Sequence, residues 1–235
     1  MLNPELNTGD LATQFAEDDR LRIENLFDAD VAERMREACR NDVPWEYLSF
    51  LDGQNVIVPA ADFEALQPAQ LQEFHQKLAH GASKGVGFFY CGYKIQRAQT
   101  DSQNKNLQFL HSIFNYLNSD EMLQFVMDVT GRDDLKSADA QFTRYTPGQF
   151  LTRHRDDPKA EERRIAYVIS LTKNWHPDWG GLLQFYEEDG TTRDTWAPKF
   201  NSISLFDVHH IHSVSYVTPF AMEQRLSLTG WFRAM

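Results

Sequence analysis

The segment ADAQFTRYTPGQFLTRHRD, residues 138–156, contains two runs of β-forming residues separated by a Pro-Gly pair. Six further runs of this kind follow, with Gly, Pro, Asn or Asp between them: RRIAYVISLT, GLLQFYEE, TRDTWAP, NSISLFDV, HSVSYVT and RLSLTGWF. Short strands at close intervals, with turn residues between them, are typical of a sandwich or a jelly roll. The pattern therefore predicts that the second half of the chain is all β.

The first half of the chain has a mixed pattern. Apolar residues recur at helical spacing in some segments, and β-formers dominate others. The predicted helices are DADVAERMREAC (28–39), QPAQLQEFHQKLAHG (67–81), NLQFLHSIFNYLN (106–118) and SDEMLQFVMDVTG (119–131), and the predicted strands are NVIVPA (55–60) and VGFFYCGYKIQ (86–96). The polar run RAQTDSQNKN (97–106) lacks an apolar period and predicts a mobile loop that is a candidate lid.

These patterns together indicate a single α+β, mainly β domain over residues 1–235. A mixed helical and strand support region would occupy residues 1–137, and the β core would occupy residues 138–235. Because helices cover the apolar face of a sheet, we expect the N-terminal helices to pack on one sheet of the jelly roll.

Composition and charge limit the classes of partner. The formal net charge is -11, which argues against broad contact with a nucleic-acid backbone or an anionic membrane surface. It favours a basic partner instead. The chain start shows no basic region followed by an apolar one, and Cys39 and Cys91 have no metal-binding or redox spacing. We therefore expect a cytoplasmic protein with two buried thiols.

A histidine and an acid lie two residues apart at the end of the second β-rich run. On a strand, His154 and Asp156 would point to the same face, although a solvated turn also collects such residues. The later segment DVHHIHSVSYV supplies His209, His210 and His212 as a further ligand. Two histidines and one carboxylate form the facial triad of non-haem Fe(II) oxygenases, which leaves open positions on the metal.

The last β-rich run carries an arginine on an inward-facing position. Arg225 and Ser227 share one face of the predicted strand, and an inward arginine is costly unless it meets an acid. The guanidinium fork suits a carboxylate ligand, to which Ser227 can add a hydrogen bond. A structural ion pair is the other interpretation of this arginine.

Four motifs occur in a fixed order: H-x-D (154–156), GGLLQFY (180–186), H-S-V (212–214) and RLSLTGWF (225–232). In this order they resemble the prolyl hydroxylase branch of the 2-oxoglutarate/Fe(II) dioxygenases, and are most similar to ribosomal prolyl hydroxylases. The resemblance covers residues 138–234 and implies a double-stranded β-helix that uses Fe(II), 2-oxoglutarate and O₂. The resemblance also makes ascorbate a candidate accessory reductant.

The resemblance assigns roles by position. It implies that His154, Asp156 and His212 hold iron, and that Arg225 grips the distal carboxylate of 2-oxoglutarate with Ser227 beside it. Tyr145 matches a tyrosine that commonly hydrogen-bonds the cosubstrate, although a tyrosine in the core is the alternative. At residue 170, Ser170 replaces another cosubstrate tyrosine common among relatives.

The resemblance also implies a substrate class. A prolyl residue in a protein is the expected substrate, and a basic component of the translation machinery would suit the acidic charge. Hydroxylation of free proline or another small metabolite is the second enzymatic interpretation. A non-catalytic metal-binding module is the alternative from a different class. In the loop NWHPDWGG (174–181), Trp175 and Trp179 are candidates for a substrate lip or for packed anchors, and His176 is expected to face solvent.

Overall fold

The computed structural model describes residues 1–98, 103–156 and 162–234. Helices and strands are interspersed up to residue 130, and strands joined by loops dominate from residue 137 onward. The helices are α1 (Thr8–Asp18), α2 (Ala29–Asp42), α3 (Ala60–Glu64), α4 (Pro68–Ser83), α5 (Lys105–Leu117) and α6 (Asp120–Thr130). The strands are β1 (Arg20–Glu24), β2 (Glu46–Leu51), β3 (Gln54–Pro59), β4 (Phe88–Lys94), β5 (Ser137–Ala138), β6 (Gln141–Tyr145), β7 (Phe150–His154), β8 (Arg163–Ser170), β9 (Leu183–Tyr186), β10 (Thr192–Trp196), β11 (Ser202–Asp207), β12 (Ile211–Val214) and β13 (Arg225–Arg233).

The strands form one curled antiparallel sheet. Its main path runs β1-β11-β8-β13-β6-β4-β7-β12-β9-β10, and β2, β3 and β5 pair beside this path. Strands that are distant along the path meet again across the interior: the ring of Phe185 in β9 lies 5.2 Å from the ring of Phe206 in β11. The sheet therefore folds into two facing layers, which confirms the predicted jelly roll with helices outside it.

All eight predicted β-rich runs in the second half contain strands. Four strands from the first half, β1 to β4, join the same sheet, and two of them lie on its main path. Strand β1 pairs with β11 at one end, and β4 lies between β6 and β7 in the middle of the path. The first half of the chain therefore supplies part of the sheet as well as the helices that cover it.

Helix α6 shows why the predicted helices form where they do. The Ser119 side chain accepts a hydrogen bond from the backbone N–H of Met122 and so caps the first turn. Gly131 ends the helix at φ 68°, a left-handed conformation that glycine adopts without strain. Between these residues Val126 and Val129 are buried on the side of the sheet. The other predicted helices are likewise confirmed as α2, α4 and α5.

The main hydrophobic core lies between the helices and the outer face of one sheet layer. Leu226, Leu228 and Phe232 of β13 point into this core, as do alternate residues of β8. Helices α2, α5 and α6 cover them, for example through Met35 of α2. Burying a large aliphatic or aromatic side chain contributes about 1.5–3 kcal/mol, so this face supplies much of the stabilisation. The opposite face of β13 points into the jelly roll.

Several elements were absent from the sequence-based prediction, namely α1, β1, β2 and the short helix α3. The predicted loop at 97–106 lies partly outside the described residues, since 99–102 are not described. Its flanks are ordered, because a 3₁₀ helix covers Ile95–Ala98 and α5 begins at Lys105. None of the helices in the described ranges has the length and apolar content needed to cross a bilayer.

Candidate active site

Three candidate metal ligands converge inside the jelly roll. The Nε2 atom of His154 lies 3.7 Å from Oδ1 of Asp156, and Nε2 of His212 lies 3.8 Å from Oδ2 of the same carboxylate. One ligand atom from each residue lies within 4.8 Å of the others. His154 and His212 are opposite each other in the pairing of β7 with β12, so the sheet register brings them together. These spacings leave room for one ion between the three side chains.

Backbone carbonyls orient both imidazole rings. Nδ1 of His154 donates to the carbonyl oxygen of Thr152 at 3.0 Å, and Nδ1 of His212 donates to that of His210 at 3.0 Å. Because a carbonyl oxygen only accepts, Nδ1 carries the proton and the Nε2 lone pair is free. Both lone pairs belong to the atoms nearest the carboxylate, so the donor set fits a divalent transition metal.

Burial keeps the distal histidine neutral. The pKa of His212 is lowered to about 4, with desolvation as the largest cause; the nearby His154 acts in the same direction and Asp156 opposes it. A neutral imidazole is the form that binds a metal. At neutral pH His212 is therefore ready to act as a ligand without first losing a proton.

The two neighbouring histidines make other contacts. His209 bonds Asp207 through Nδ1 at 2.8 Å, and Nε2 of His210 bonds the carbonyl oxygen of Asp18 at 2.9 Å. Neither residue belongs to the ligand cluster that the described residues form. The structure thus brings His212, and not its neighbours, to His154 and Asp156.

Arg225 is buried inside the jelly roll with only 3% of its surface exposed. Among the described residues no hydrogen bond or ion pair satisfies it, and its Nε has no partner. Its guanidinium carbon lies 5.1 Å from the centre of the Tyr145 ring, a weak substitute for an anion. Burial lowers the pKa of Arg225, because a charge removed from water is costly. The structural ion pair considered from the sequence is not observed in the described part of the chain.

A row of hydroxyl side chains crosses the sheet next to Arg225. Thr143, Ser227, Ser170 and Ser202 are successive partners across β6, β13, β8 and β11. All four are buried, and in the described part of the chain the hydroxyls of Thr143 and Ser227 have no hydrogen-bond partner. Buried polar groups are normally satisfied, so these hydroxyls beside the guanidinium form a surface that fits a polar ligand. The row is called the hydroxyl row below.

Tyr145 forms the neighbouring wall, because it pairs with Arg225 across β6 and β13. Its ring stacks on that of Tyr90, with centroids 5.2 Å apart. Burial raises the pKa of the Tyr145 hydroxyl, the neighbouring Tyr90 raises it further, and Arg225 opposes the shift. Tyr145 therefore stays a neutral hydrogen-bond donor at neutral pH.

The loop containing both tryptophans packs against the site. Nε1 of Trp175 donates to the carbonyl oxygen of Gly180 at 2.8 Å, and the Trp179 ring lies edge-on to Trp175 at 5.3 Å. A Cβ at Gly181 would lie 3.0 Å from Trp175 and 3.2 Å from Cδ of Arg225. Trp175 is thus a packed anchor of this loop, and only glycine at 181 lets the loop approach the stem of Arg225. His176 faces solvent, as expected.

Sequence reasoning did not find every residue at the site. Thr143 and Tyr90 were missed because neither lies in a motif, and only the pairing of β4 with β6 and of β6 with β13 brings them to Arg225. The one sequence feature that pointed to these two residues was their position on predicted strands.

Residues 140–233 match the sequence profile of the 2OG-Fe(II) oxygenase superfamily. Enzymes of this class are oxidoreductases that use Fe(II), 2-oxoglutarate and O₂.

Among curated proteins, the chain is similar to prolyl 3-hydroxylase OGFOD1 of Mus musculus, with 29% identity over 147 residues, and to that of Xenopus laevis, with 27% identity over 147 residues. These matches cover 60% of this chain but only 26% and 28% of the relatives, so the matched region spans about a quarter of their length.

Solved structures share the fold over nearly the whole chain. A prolyl-4-hydroxylase from Pseudomonas putida aligns with a TM-score of 0.60 at 20% identity, covering 97% of this chain and 98% of that one. A second structure is a prolyl hydroxylase from Trichoplax adhaerens in complex with a hypoxia inducible factor oxygen degradation domain peptide fragment. It aligns with a TM-score of 0.62 at 14% identity, and the alignment covers 97% of this chain and 89% of that one. At these identities the likeness establishes the fold.

Proposed function

We propose that this protein is a 2-oxoglutarate- and Fe(II)-dependent dioxygenase that hydroxylates a prolyl residue in a protein. The observation that carries the proposal is the combination of two unsatisfied features in one interior. A cluster of two histidines and a carboxylate lies in the same jelly roll as a buried arginine that has no counter-charge among the described residues. Iron and a dicarboxylate would satisfy both features.

His154, Asp156 and His212 are the proposed iron ligands. Supporting this role, both Nε2 atoms are freed by Nδ1 hydrogen bonds to backbone carbonyls, and the carboxylate lies between the two rings. Bound Fe(II), with 2-oxoglutarate and O₂, supplies an oxidant that converts a C–H bond into C–OH while 2-oxoglutarate becomes succinate and CO₂. Three protein ligands leave open positions for the other reactants.

Arg225 is the proposed anchor for the distal carboxylate of 2-oxoglutarate. Its guanidinium can donate two parallel hydrogen bonds to a carboxylate, and burial strengthens them because water does not compete. Ser227 and Thr143 are positioned beside it to donate their unpaired hydroxyls, and Tyr145 can donate from the adjacent wall. These residues would orient the cosubstrate without taking part in proton transfer.

A protein substrate is supported by charge and by the relatives. The formal net charge of -11 favours a basic polypeptide, for which a component of the translation machinery is the proposed class. The similar proteins include prolyl hydroxylases, one of them in complex with a peptide fragment. We also propose a cytoplasmic location, since both cysteines are free thiols, as is usual in a reducing compartment.

Succinate formation by the purified protein tests this proposal. With Fe(II), 2-oxoglutarate and proline-containing basic peptides, we expect succinate in proportion to peptide hydroxylation, and none with Asp156→Ala. The variant should retain its circular dichroism spectrum, because Asp156 lies at a strand end. Metal binding without succinate under all conditions would favour the non-catalytic module, and turnover with free proline alone would favour a small-metabolite hydroxylase.

A further inference from the structure

The two candidate ligand histidines are oriented by the same local arrangement. In each, the Nδ1–H group donates to the backbone carbonyl oxygen two residues earlier in the chain, at 3.0 Å. The acceptor is Thr152 for His154, and it is His210 for His212. The direction of each Nε2 lone pair therefore depends on the position of one carbonyl group. The side chains of Thr152 and His210 both make contacts that fix these carbonyls.

The hydroxyl of Thr152 leaves its own carbonyl available to the ligand histidine. Strands β4 and β7 are antiparallel, and their pairing of Phe88 with Leu151 places Gly87 opposite Thr152. The N–H of Thr152 donates to the carbonyl oxygen of Gly87 at 2.9 Å. In a regular ladder the N–H of Gly87 would donate back to the carbonyl of Thr152. It donates instead to Oγ1 of Thr152 at 3.0 Å, so the carbonyl can accept from His154.

The imidazole of His210 anchors the other carbonyl. Its Nε2 donates to the carbonyl oxygen of Asp18, the last residue of α1, at 2.9 Å. Carbonyls in the last turn of a helix have no partner within the helix, so this bond also satisfies the helix end. The backbone N–H of His210 donates to the carbonyl oxygen of Asp207 at 3.1 Å, and the residue is 5% exposed. Its side chain and its backbone are therefore both held in the turn before β12.

We propose that Thr152 and His210 are positioning residues for the metal site. The hydroxyl of the first and the imidazole of the second fix the two carbonyls that orient the ligand imidazoles, and neither side chain belongs to the ligand cluster that the described residues form. The inference rests on the proposed function, because it takes His154 and His212 as iron ligands. Both anchoring partners lie in the first half of the chain, so that half helps to shape the metal site of the second.

Mn²⁺ titrations of matched variants test the role of Thr152 without any turnover. Thr152→Val keeps the shape of the side chain and removes the hydroxyl, so the N–H of Gly87 is left to compete for the carbonyl that orients His154. The Mn²⁺ dissociation constant should rise by about 10- to 100-fold, the usual effect of replacing a residue that orients a metal ligand. Thr152→Ser keeps the hydroxyl and should recover most of the affinity.

The same titration tests the role of His210. His210→Phe keeps an aromatic ring beside Phe185, whose ring lies 5.9 Å from that of His210, but it cannot donate to Asp18. It should raise the Mn²⁺ dissociation constant by about 10- to 100-fold. His210→Gln places an amide N–H near the position of Nε2 and should recover part of the affinity. The two pairs of variants are independent, so each still tests its own residue if a variant of the other pair fails to fold.

Thr172→Val is the matched control. The hydroxyl of Thr172 accepts from the N–H of Leu226 at 2.9 Å and donates to the carbonyl oxygen of Leu226 at 3.1 Å. It is thus a buried hydroxyl in the same kind of contact with the backbone of a neighbouring strand. Thr172 lies outside the hydroxyl row, and neither of these two bonds leads to a ligand histidine. The control should be less stable than the wild type and should bind Mn²⁺ equally well.

The Co²⁺-loaded protein gives a second readout, which a loss of stability alone would not change. The paramagnetic ion shifts the Nδ1–H protons of the ligand histidines far from the other proton resonances, and their exchange with water reports on their hydrogen bonds. In Thr152→Val the Nδ1–H of His154 should exchange faster, and that of His212 should behave as in the wild type. His210→Phe should give the opposite pattern.

Mn²⁺ affinities of Thr152→Val and His210→Phe that equal the affinity of the Thr172→Val control would overturn the inference and leave the proposed function intact. Weakened binding that Thr152→Ser and His210→Gln do not recover would overturn it as well, as would faster exchange at both histidines in each variant. Wild-type protein that binds no Mn²⁺ would contradict the proposed function, and the inference with it.

Discussion

Replacing Arg225 by methionine should have opposite effects on stability and on ligand binding. Arg225 is 3% exposed and its guanidinium has no ion-pair partner among the described residues, so the protein without ligand carries the cost of a buried, unpaired charge. Methionine keeps the length of the side chain and removes this cost. The ligand-free variant should therefore be more stable than the wild type.

The magnitude follows from the contacts. Replacing buried charges by apolar residues of similar volume stabilises proteins by about 1–4 kcal/mol, and a value of about 1–2 kcal/mol corresponds to a rise in Tm of about 3–6 °C in a chain of this size. For binding, loss of two charge-assisted hydrogen bonds, each worth about 1.5–3 kcal/mol, should weaken 2-oxoglutarate affinity by about 100- to 1,000-fold after partial compensation.

Thermal melts with and without 2-oxoglutarate, in Mn²⁺-loaded protein, measure both effects. Without ligand the Arg225→Met variant should melt above the wild type. At a ligand concentration 100 times the wild-type dissociation constant, the wild type gains about 2.7 kcal/mol and the order should reverse. Arg225→Lys should recover only part of the affinity, because an ammonium lacks the planar fork.

Arg164→Met is the matched control, since Arg164 on β8 pairs with Asp134 at 2.8 Å and is partly exposed. It should lose up to about 1 kcal/mol of stability and keep its 2-oxoglutarate affinity. If Arg225→Met melts lower than the wild type without ligand, Arg225 has a structural partner and the reasoning about the cosubstrate anchor is wrong.

Three further predictions address the metal, the substrate and the core. His212→Ala should abolish tight Mn²⁺ binding in a titration, whereas His209→Ala should leave Mn²⁺ binding unchanged. The reverse result would show that His209, and not His212, is the metal ligand. Basic proline-containing peptides should stimulate succinate formation more than acidic peptides or free proline, and added salt should narrow the difference through screening; equal stimulation by both kinds of peptide would remove the argument from charge. Leu228→Ala should lower the free energy of unfolding by about 2–5 kcal/mol in denaturant titrations. Met222→Ser, at a side chain that is 81% exposed, should change it by less than about 0.5 kcal/mol.

The strands that carry the candidate metal ligands and Arg225 were predictable because their signals are local. The two-residue spacing of His154 and Asp156 places both side chains on one face of a strand, and Arg225 occupies an alternating polar and apolar run. The missed elements have weaker local signals. Helix α1 has one buried residue, Phe15. Strand β2 also has one, Ser49, because β2 lies beside the main path of the sheet.

The remaining site residues depend on which strands become neighbours. Nothing in the spacing of Thr143 relates it to Ser227 or Ser170, which lie far away along the chain. The register of β6, β13 and β8 makes them adjacent, and tertiary pairing of this kind is not encoded in any short segment. The same limit explains why the choice of His212 among three histidines required a resemblance, since the pairing of β12 with β7 decides it.

The position of β4 means that the β-rich half of the chain cannot be separated from what precedes it. Strand β4 pairs with β6 on one side and with β7 on the other. A fragment starting at residue 138 would open the sheet in its middle and expose two unpaired edges, one of them on the strand that carries His154. The strand that carries His154 therefore depends, for its place in the sheet, on a strand that precedes the β-rich half in the chain.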